Sequence, residues 1–533
     1  MKKFGILSIV LLIAIVSGLT GCTTGADQTE KTEKILNLNL TGEPTSLDPA
    51  KAFDEDSLDV THNLFVGLMR LDKNHQPQKA IAKEVKTSSD GLTYTFTLNK
   101  TKWSNGENLT AHDFEFAWKR VLDPKTASEA AFLLYFIKGA EEYNTGKGSA
   151  DQVGVKALDD YTLEVKLTRP TPSFLQLTAY SVYSPVYKKG AEQNPALYNE
   201  AKSYVSNGAF KMTEWKHDGH IKVARNENYY NKEVVKLSGI HFSIVTDSNT
   251  AYQMYKTKKL DVIAKKSIPG DLLAQMIKSG EVKTWESNGL AFFRFNVKKE
   301  PFTNVKIRKA FALAVDRKLI VEQIVQSGEQ PAYAYVAPSA PNNFRQKGGN
   351  LIQDGQFAEA KKLLEEGMKE EGWSKLPTVT LLYSNTTEKN KKIAEAVQEM
   401  YRKHLGVEIQ LQAKENKVYF ADQRSKNYIM TTSSFLADYN DTYNYLESFQ
   451  TDHSMNRTNW SNKKYDEYLQ KAAQSSNQEE RDKFLHEAEK ILFEEMPLFP
   501  LYFYNTAAAE QPGVTGIIRH PVGQNDYTQA DKK

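Results

Sequence analysis

Residues 393–411 read IAEAVQEMYRKHLGVEIQL. Ile393, Ala396, Val397, Met400 and Tyr401 recur at helical spacing, Gly406 is the residue type that ends a helix in the left-handed conformation, and Val407, Ile409 and Leu411 then alternate as a strand does. A helix handing over to a strand through one glycine is the grammar of layered α/β structure, in which each element must bury one face on its neighbour. On the N-terminal side, Asn304 caps a predicted helix striped by Ile307, Ala310, Phe311, Ala314 and Val315. On the C-terminal side, Asn477 and Glu480 form a capping-box-like start. Phe484, Leu485, Ala488, Ile491 and Leu492 make its stripe, Pro497 ends it, and a strand is predicted over 498–504. Nearer the start the period is two. Leu92, Tyr94, Phe96 and Leu98 alternate with threonines behind the turn Asp90-Gly91, and Tyr161, Leu163, Val165 and Leu167 alternate with polar residues. Strand-rich first half and helix-rich second half give an α+β (mixed α/β) class.

The length of 533 residues exceeds one hydrophobic core and predicts two or three lobes. With 40% hydrophobic residues the chain folds, since disordered chains are poorer in them. The 69 Lys and Arg against 66 Asp and Glu are interspersed and leave +3, with no basic stripe to track a phosphate backbone, so nucleic acid is excluded as a partner. Lys2 and Lys3 precede an apolar run at 4–19, too short for a membrane-spanning anchor, which reads as an export leader. It meets Leu19-Thr20-Gly21-Cys22, which resembles the lipobox of bacterial lipoproteins. That resemblance implies cleavage after residue 21 and diacylglycerol on Cys22. As the one cysteine, Cys22 then leaves neither a disulfide framework nor a catalytic thiol. Polar residues 22–34 read as a tether.

Enzyme signatures are missing: no phosphate-binding Gly-rich loop, no Gly-x-Ser-x-Gly, no His-Glu-x-x-His. His217 and His220 stand close enough to share a metal but lack further ligands at metal-site spacing, so no metal or cofactor is expected. Asp54, Glu55 and Asp56 read as a solvated acidic loop. Asp438 differs, lying in SSFLADYNDTYNYLESF at residues 433–449 among Phe435, Tyr439 and Tyr443. A carboxylate crowded by rings is partly desolvated and seeks a cation, such as the α-ammonium of a peptide. Asp438 with Asp441 also admits a glycosidase-like acid and base pair. Arg294, between Phe293 and Phe295 on a predicted strand, is costly unless paired, with either a ligand carboxylate or an internal acid.

Ordered segments through the chain resemble the extracellular solute-binding proteins of the dipeptide and oligopeptide class, receptor lipoproteins of peptide ABC importers. They are GEPTSLDP at 42–49, LTYTFTLNKTKWSNGENLTAHDFEFAWKRVLDP ending at 124, and YVSNGAFKMTEWKHD at 204–218. FNVKKEPFTNVKIRKAFALAVDR at 295–317, SSFLADYND at 433–441 and FQTDHSMNRTNW at 449–460 follow. The resemblance implies a periplasmic-binding-protein-like two-lobed hinge fold with an extra third subdomain. Lobe I then holds 35–65, 188–288 and 506–533, subdomain II holds 66–187, and lobe III holds 289–505. It implies a monomer lipid-anchored outside the cytoplasmic membrane that passes short peptides to a permease and catalyses nothing. Asp438 matches the family's anchor for the ligand α-ammonium. Backbone at Ser434 and Leu436, groups near Asn207 and Gly208, and the loop holding Phe53 and Glu55 match positions that pair with the peptide. Tyr504 matches a cleft tyrosine or, with Tyr502, a buried strand face. Asn416 stands where many relatives have Trp, and Gln423 where some have an Arg for the ligand carboxylate. The cell-wall tripeptide, with extra carboxylates, is a ligand of some relatives. Rival readings are another solute on the same fold (a signalling peptide, nickel chelate or oligosaccharide), a cell-surface hydrolase, and a surface folding or adhesion role.

Overall fold

The computed structural model describes residues 33–475 and 477–533; the leader, Cys22 and the tether up to residue 32 lie outside the described residues. The helix read from the opening stretch spans Glu388–Leu405, capped by Thr387, with Ile393, Val397, Met400 and Tyr401 buried. Ala394 rather than Ala396 points inward. Gly406 ends it at φ 70. The strand starts at Gln410 rather than Val407, because the Val407 amide still donates to the Tyr401 carbonyl and finishes the helix.

Three main sheets carry the molecule. One orders Ile35–Leu40, Gly239–Ile244, His220–Arg225 and Phe210–Lys216, the first pair parallel and the rest antiparallel. A second, antiparallel, orders Ala82–Thr87, Thr93–Leu98, Thr162–Lys166 and Val155–Asp159, with Tyr94, Phe96 and Leu98 inward as their alternation requires. These two sheets share one apolar core through Leu38, Phe96, Trp103, Trp118, Phe210 and Phe242. The third is mixed and orders Val262–Ala264, Leu498–Glu510, Val282–Phe295, Met430–Leu436, Thr380–Ser384 and Gln410–Lys414. The helices Val305–Leu313 and Gln478–Glu495 are capped by Asn304 and Asn477 as predicted.

Two long strands join separate cores. Val282, Ala507 and Ala509 lie in one cluster with Ile263, whereas Leu290, Phe293 and Phe499 lie in another with Phe311, Leu381 and Tyr401. The strand predicted to end at 504 therefore runs on to Glu510, and the domain borders drawn at 289 and 505 fall inside continuous strands. Pairing between the two strands breaks between Glu286↔Asn505 and Leu290↔Phe503, where Ser287, Asn288 and Gly289 face Tyr504 alone. A bulge of this kind bends a strand locally, and it sits where the chain passes from one core to the other.

Candidate functional site

Asp438 stands two residues past the end of the strand Met430–Leu436. Its amide donates to Asn444 Oδ1 at 3.0 Å, and the Asn444 amide donates to Glu447 at 3.2 Å. Asp438 is exposed, and desolvation by nearby protein raises its pKa against the Asn444 hydrogen bond that lowers it. Among the described residues no cation pairs with it. Neighbouring Glu447 does have partners, Tyr439 Oη at 3.1 Å and Arg169 at 3.9 Å, yet burial pushes its carboxyl up to about 7. The aromatic residues beside Asp438 have other tasks. Phe435 packs on Tyr445, and Tyr443 faces Arg169 and Arg481.

The strand before Asp438 has one free edge. It pairs along its whole length with Val282–Phe295, from Gly289↔Leu436 to Phe295↔Met430, but the parallel strand on its other side stops at Leu382↔Thr431. Backbone groups of alternate residues point to opposite edges. The Ala437 amide bonds inward to the Asn288 carbonyl, while the Thr432 carbonyl faces outward and accepts from Tyr419 Oη and Gln423 Nε2. By that period Ser434 and Leu436 turn their N–H and C=O groups to the free edge. The Leu436 side chain is 58% exposed. Gly289 opposite permits the close packing: a Cβ there would lie 2.8 Å from the Phe435 carbonyl and 2.9 Å from the Tyr504 ring.

Alongside this edge lies a cavity of about 340 Å³ whose lining includes Arg294, Asn416, Gln423, Ser434, Tyr502 and Tyr504. Arg294 is only 4% exposed, donates from Nη2 to Ser433 Oγ at 2.6 Å and lies 5.1 Å from the Phe292 ring. Among the described residues its Nε and Nη1 have no hydrogen-bond partner and no acid pairs with it. Asn416 Oδ1 accepts from Ser384, and Tyr504 and Ser434 share the wall. Gln423 is not free to replace a ligand-binding cation, since its amide is spent on Thr432. Arg457, Tyr419, Phe420 and Met455 also line the wall, and composition and spacing offered no pointer to them.

Other predicted residues stand elsewhere. Asn207 is buried with both ends of its amide on Val66, and the Gly208 amide and carbonyl are taken by Leu64 and Asn226, so their groups fasten loops rather than await a ligand. A Cβ on Gly208 would come within 2.5 Å of Leu64 backbone, which accounts for the glycine. Phe53 is exposed, and Glu55 pairs with Lys266 outside the cavity wall. Asp54 to Asp56 are not a free loop: Asp54 caps the helix Glu55–Leu64, and Asp56 accepts from Thr41. His217 and His220 turn to different acids, Glu43 and Glu214. His62, His520 and Asp526 do converge, but the Asp526 carboxylate is held by Arg70.

A family model described as bacterial extracellular solute-binding proteins, family 5 Middle, matches residues 76–457. The chain belongs to this solute-binding family. Among family members, it is 44% identical to the dipeptide-binding protein DppE of Bacillus subtilis over 98% of each chain. It is 31% identical to the periplasmic murein peptide-binding protein MppA of Escherichia coli over 93% of each. The unliganded open form of MppA superposes with a TM-score of 0.84, covering 94% of this chain and 98% of that one at 30% identity. Listeria monocytogenes OppA bound to peptide, also 30% identical, covers 94% and 99% with a TM-score of 0.71. The two-lobed structure here thus superposes better on the unliganded open form than on the peptide-bound protein. The relatives are binding proteins, and the acid and base pair of the hydrolase reading is absent: Asp441 caps Thr442–Glu447 and is ion-paired to Arg481 at 2.9 Å.

Proposed function

We propose that this family member captures short peptides outside the cytoplasmic membrane and hands them to the permease of an ABC importer. The observation that carries the reading is Asp438, which among the described residues is a carboxylate without a cation beyond the end of a strand edge without a partner. A peptide's α-ammonium supplies the first deficit and its main chain the second. Main-chain pairing along Ser434 and Leu436 tolerates many side chains, because every peptide offers the same donors and acceptors. The chain binds and does not react, needs no cofactor, and works as a monomer held to the membrane by lipid on Cys22. The likeness to a murein peptide-binding protein supports including cell-wall peptides in the proposed ligand class.

Binding closes the lobes about the bulge at Ser287 to Gly289, since a ligand bridging both lobes stabilises only the closed arrangement. Small-angle scattering with calorimetry tests this. Adding trialanine should shrink the radius of gyration and release or absorb heat at one site per chain. An unchanged radius without heat contradicts the proposal.

A further inference from the structure

Asp438 lies where the chain crosses between two apolar cores. Ala437, just before it, belongs to the core that contains Leu290 and Phe499, whereas Tyr439, just after it, belongs to the core of the first two sheets with Phe96 and Trp118. Tyr439 meets Phe136 edge to face, their ring centroids 5.7 Å apart. Next along, the Asn440 amide donates to Tyr180 Oη at 3.2 Å, and both residues are buried. Tyr180 is itself part of the core of the first two sheets, so the segment after Asp438 is held from outside its own sheet. Burial above all raises the pKa of the Tyr180 hydroxyl, and the charges of Asp441 and Asp438 add to the rise, which puts Tyr180 within electrostatic reach of the anchor. The bulge between the cores grips the same segment from the other side. Asn288 accepts from the Ala437 amide at 2.7 Å, donates from Nδ2 to Asn440 Oδ1 at 2.6 Å, and gives its own amide to the Pro521 carbonyl at 2.8 Å. Asp438 therefore stands between the two residues that Asn288 holds. A buried polar network of this kind fixes one geometry, because breaking a member strands its partner away from water.

We infer that Tyr180 and Asn288 are positioning residues for peptide capture: they pin the segment Ala437–Asn440 to both lobes, so that Asp438 sits on the pivot of closure instead of riding on one lobe. This rests on the peptide reading above and adds how the amine site keeps its place. A point near a pivot scarcely shifts as the lobes turn, so one geometry at Asp438 serves before and after closure. A site shared between lobes far from the pivot is assembled only when they meet. Here binding costs no free energy for assembling the amine site, which is the advantage of preorganisation. A third fastening acts in the same direction. Glu447 accepts from Tyr439 Oη and from the Asn444 amide whose oxygen holds the Asp438 N–H, and Arg169 approaches that carboxylate at 3.9 Å.

The test is calorimetry with trialanine and N-acetyl-trialanine on the soluble chain beginning after Cys22 and on its Tyr180→Phe and Asn288→Ala variants. Each substitution should weaken trialanine about five- to tenfold, the effect of one buried hydrogen bond, and the acetylated peptide less than about twofold, because both act through the ion pair that acetylation removes. A residue that merely supports the fold would weaken both peptides alike. Equal losses for the two peptides, or no loss for trialanine, overturn the positioning role. Hydrogen exchange on the wild type reads the same claim without a substitution. The Ala437 and Asn440 amides should stay protected both with and without trialanine, and loss of protection at either in one of the two states overturns the pivot. Failure of wild type to bind trialanine overturns the underlying peptide reading instead.

Discussion

Replacing Asp438 with Asn keeps the side chain's size and its contact with Asn444 while removing the charge that a peptide α-ammonium would meet. In the open form the carboxylate is accessible, so its pKa shift is no measure of binding energy. What counts is the pair formed on closure. A charge-assisted hydrogen bond in a desolvated site contributes about 1.5–3 kcal/mol. A loss of about 2–3 kcal/mol weakens Kd by ~30- to ~150-fold. Calorimetry with trialanine and its N-acetylated form makes a double-mutant cycle: either change alone should cost that much, and the two together little more. The pH dependence has a definite sign. Desolvation raises the Asp438 pKa, so wild-type affinity should fall as pH drops through that raised value, and the acid limb should vanish in Asp438→Asn. Equal affinity of wild type and variant, or strictly additive losses in the cycle, would refute the anchor.

Three further predictions concern stability. Burial lowers the His62 and His520 pKa values to about 4 and about 3, below the ordinary 6.5, so the unfolded chain takes up protons first as pH falls. Each histidine thus costs ~1.4 kcal/mol per pH unit between 6.5 and its folded value. Asp59 and Glu447, raised to about 7, act in the opposite sense, so the informative quantity is the difference between wild type and His62→Gln in urea melts from pH 6.5 to about 5; parallel curves would be the contrary result. Gly289→Ala should destabilise by about 1–3 kcal/mol in the same assay because its Cβ meets the Phe435 carbonyl; no loss would show that the bulge relaxes freely. Arg345→Met should cost about 3–5 kcal/mol by stranding Glu489, whose Oε1 also accepts from the Tyr335 and Val336 amides; a neutral effect would mean that Glu489 finds another cation.

Local signals were legible wherever one element decides its own form. The stripe Ile393, Val397, Met400 and Tyr401, the caps Asn304 and Asn477, and the alternation through Tyr94, Phe96 and Leu98 all stand as read. Errors arose where tertiary contacts decide. Val407 looks like a strand residue by alternation, but its amide closes the preceding helix. The strand from Leu498 runs on to Glu510 because its second half packs in a different core from its first. Partial desolvation of Asp438 was legible from its aromatic neighbourhood, yet Phe435 and Tyr443 pack on other residues and the carboxylate stays exposed. Asn207 and Gly208 matched ligand-facing positions by resemblance, while their hydrogen bonds to Val66, Leu64 and Asn226 depend on pairings no local pattern reveals. Arg457 gave no signal because its place in the cavity wall appears only once elements distant in sequence are assembled.

The central claim is that this chain is a receptor for short peptides gripped by the amine through Asp438. Native mass spectrometry of the form beginning after Cys22, purified gently and then denatured, tests it most directly. Wild type should release short peptides with free α-amines, and the Asp438→Asn protein none. A wild-type chain that emerges empty and stays unmoved in mass when short peptides are added would contradict it.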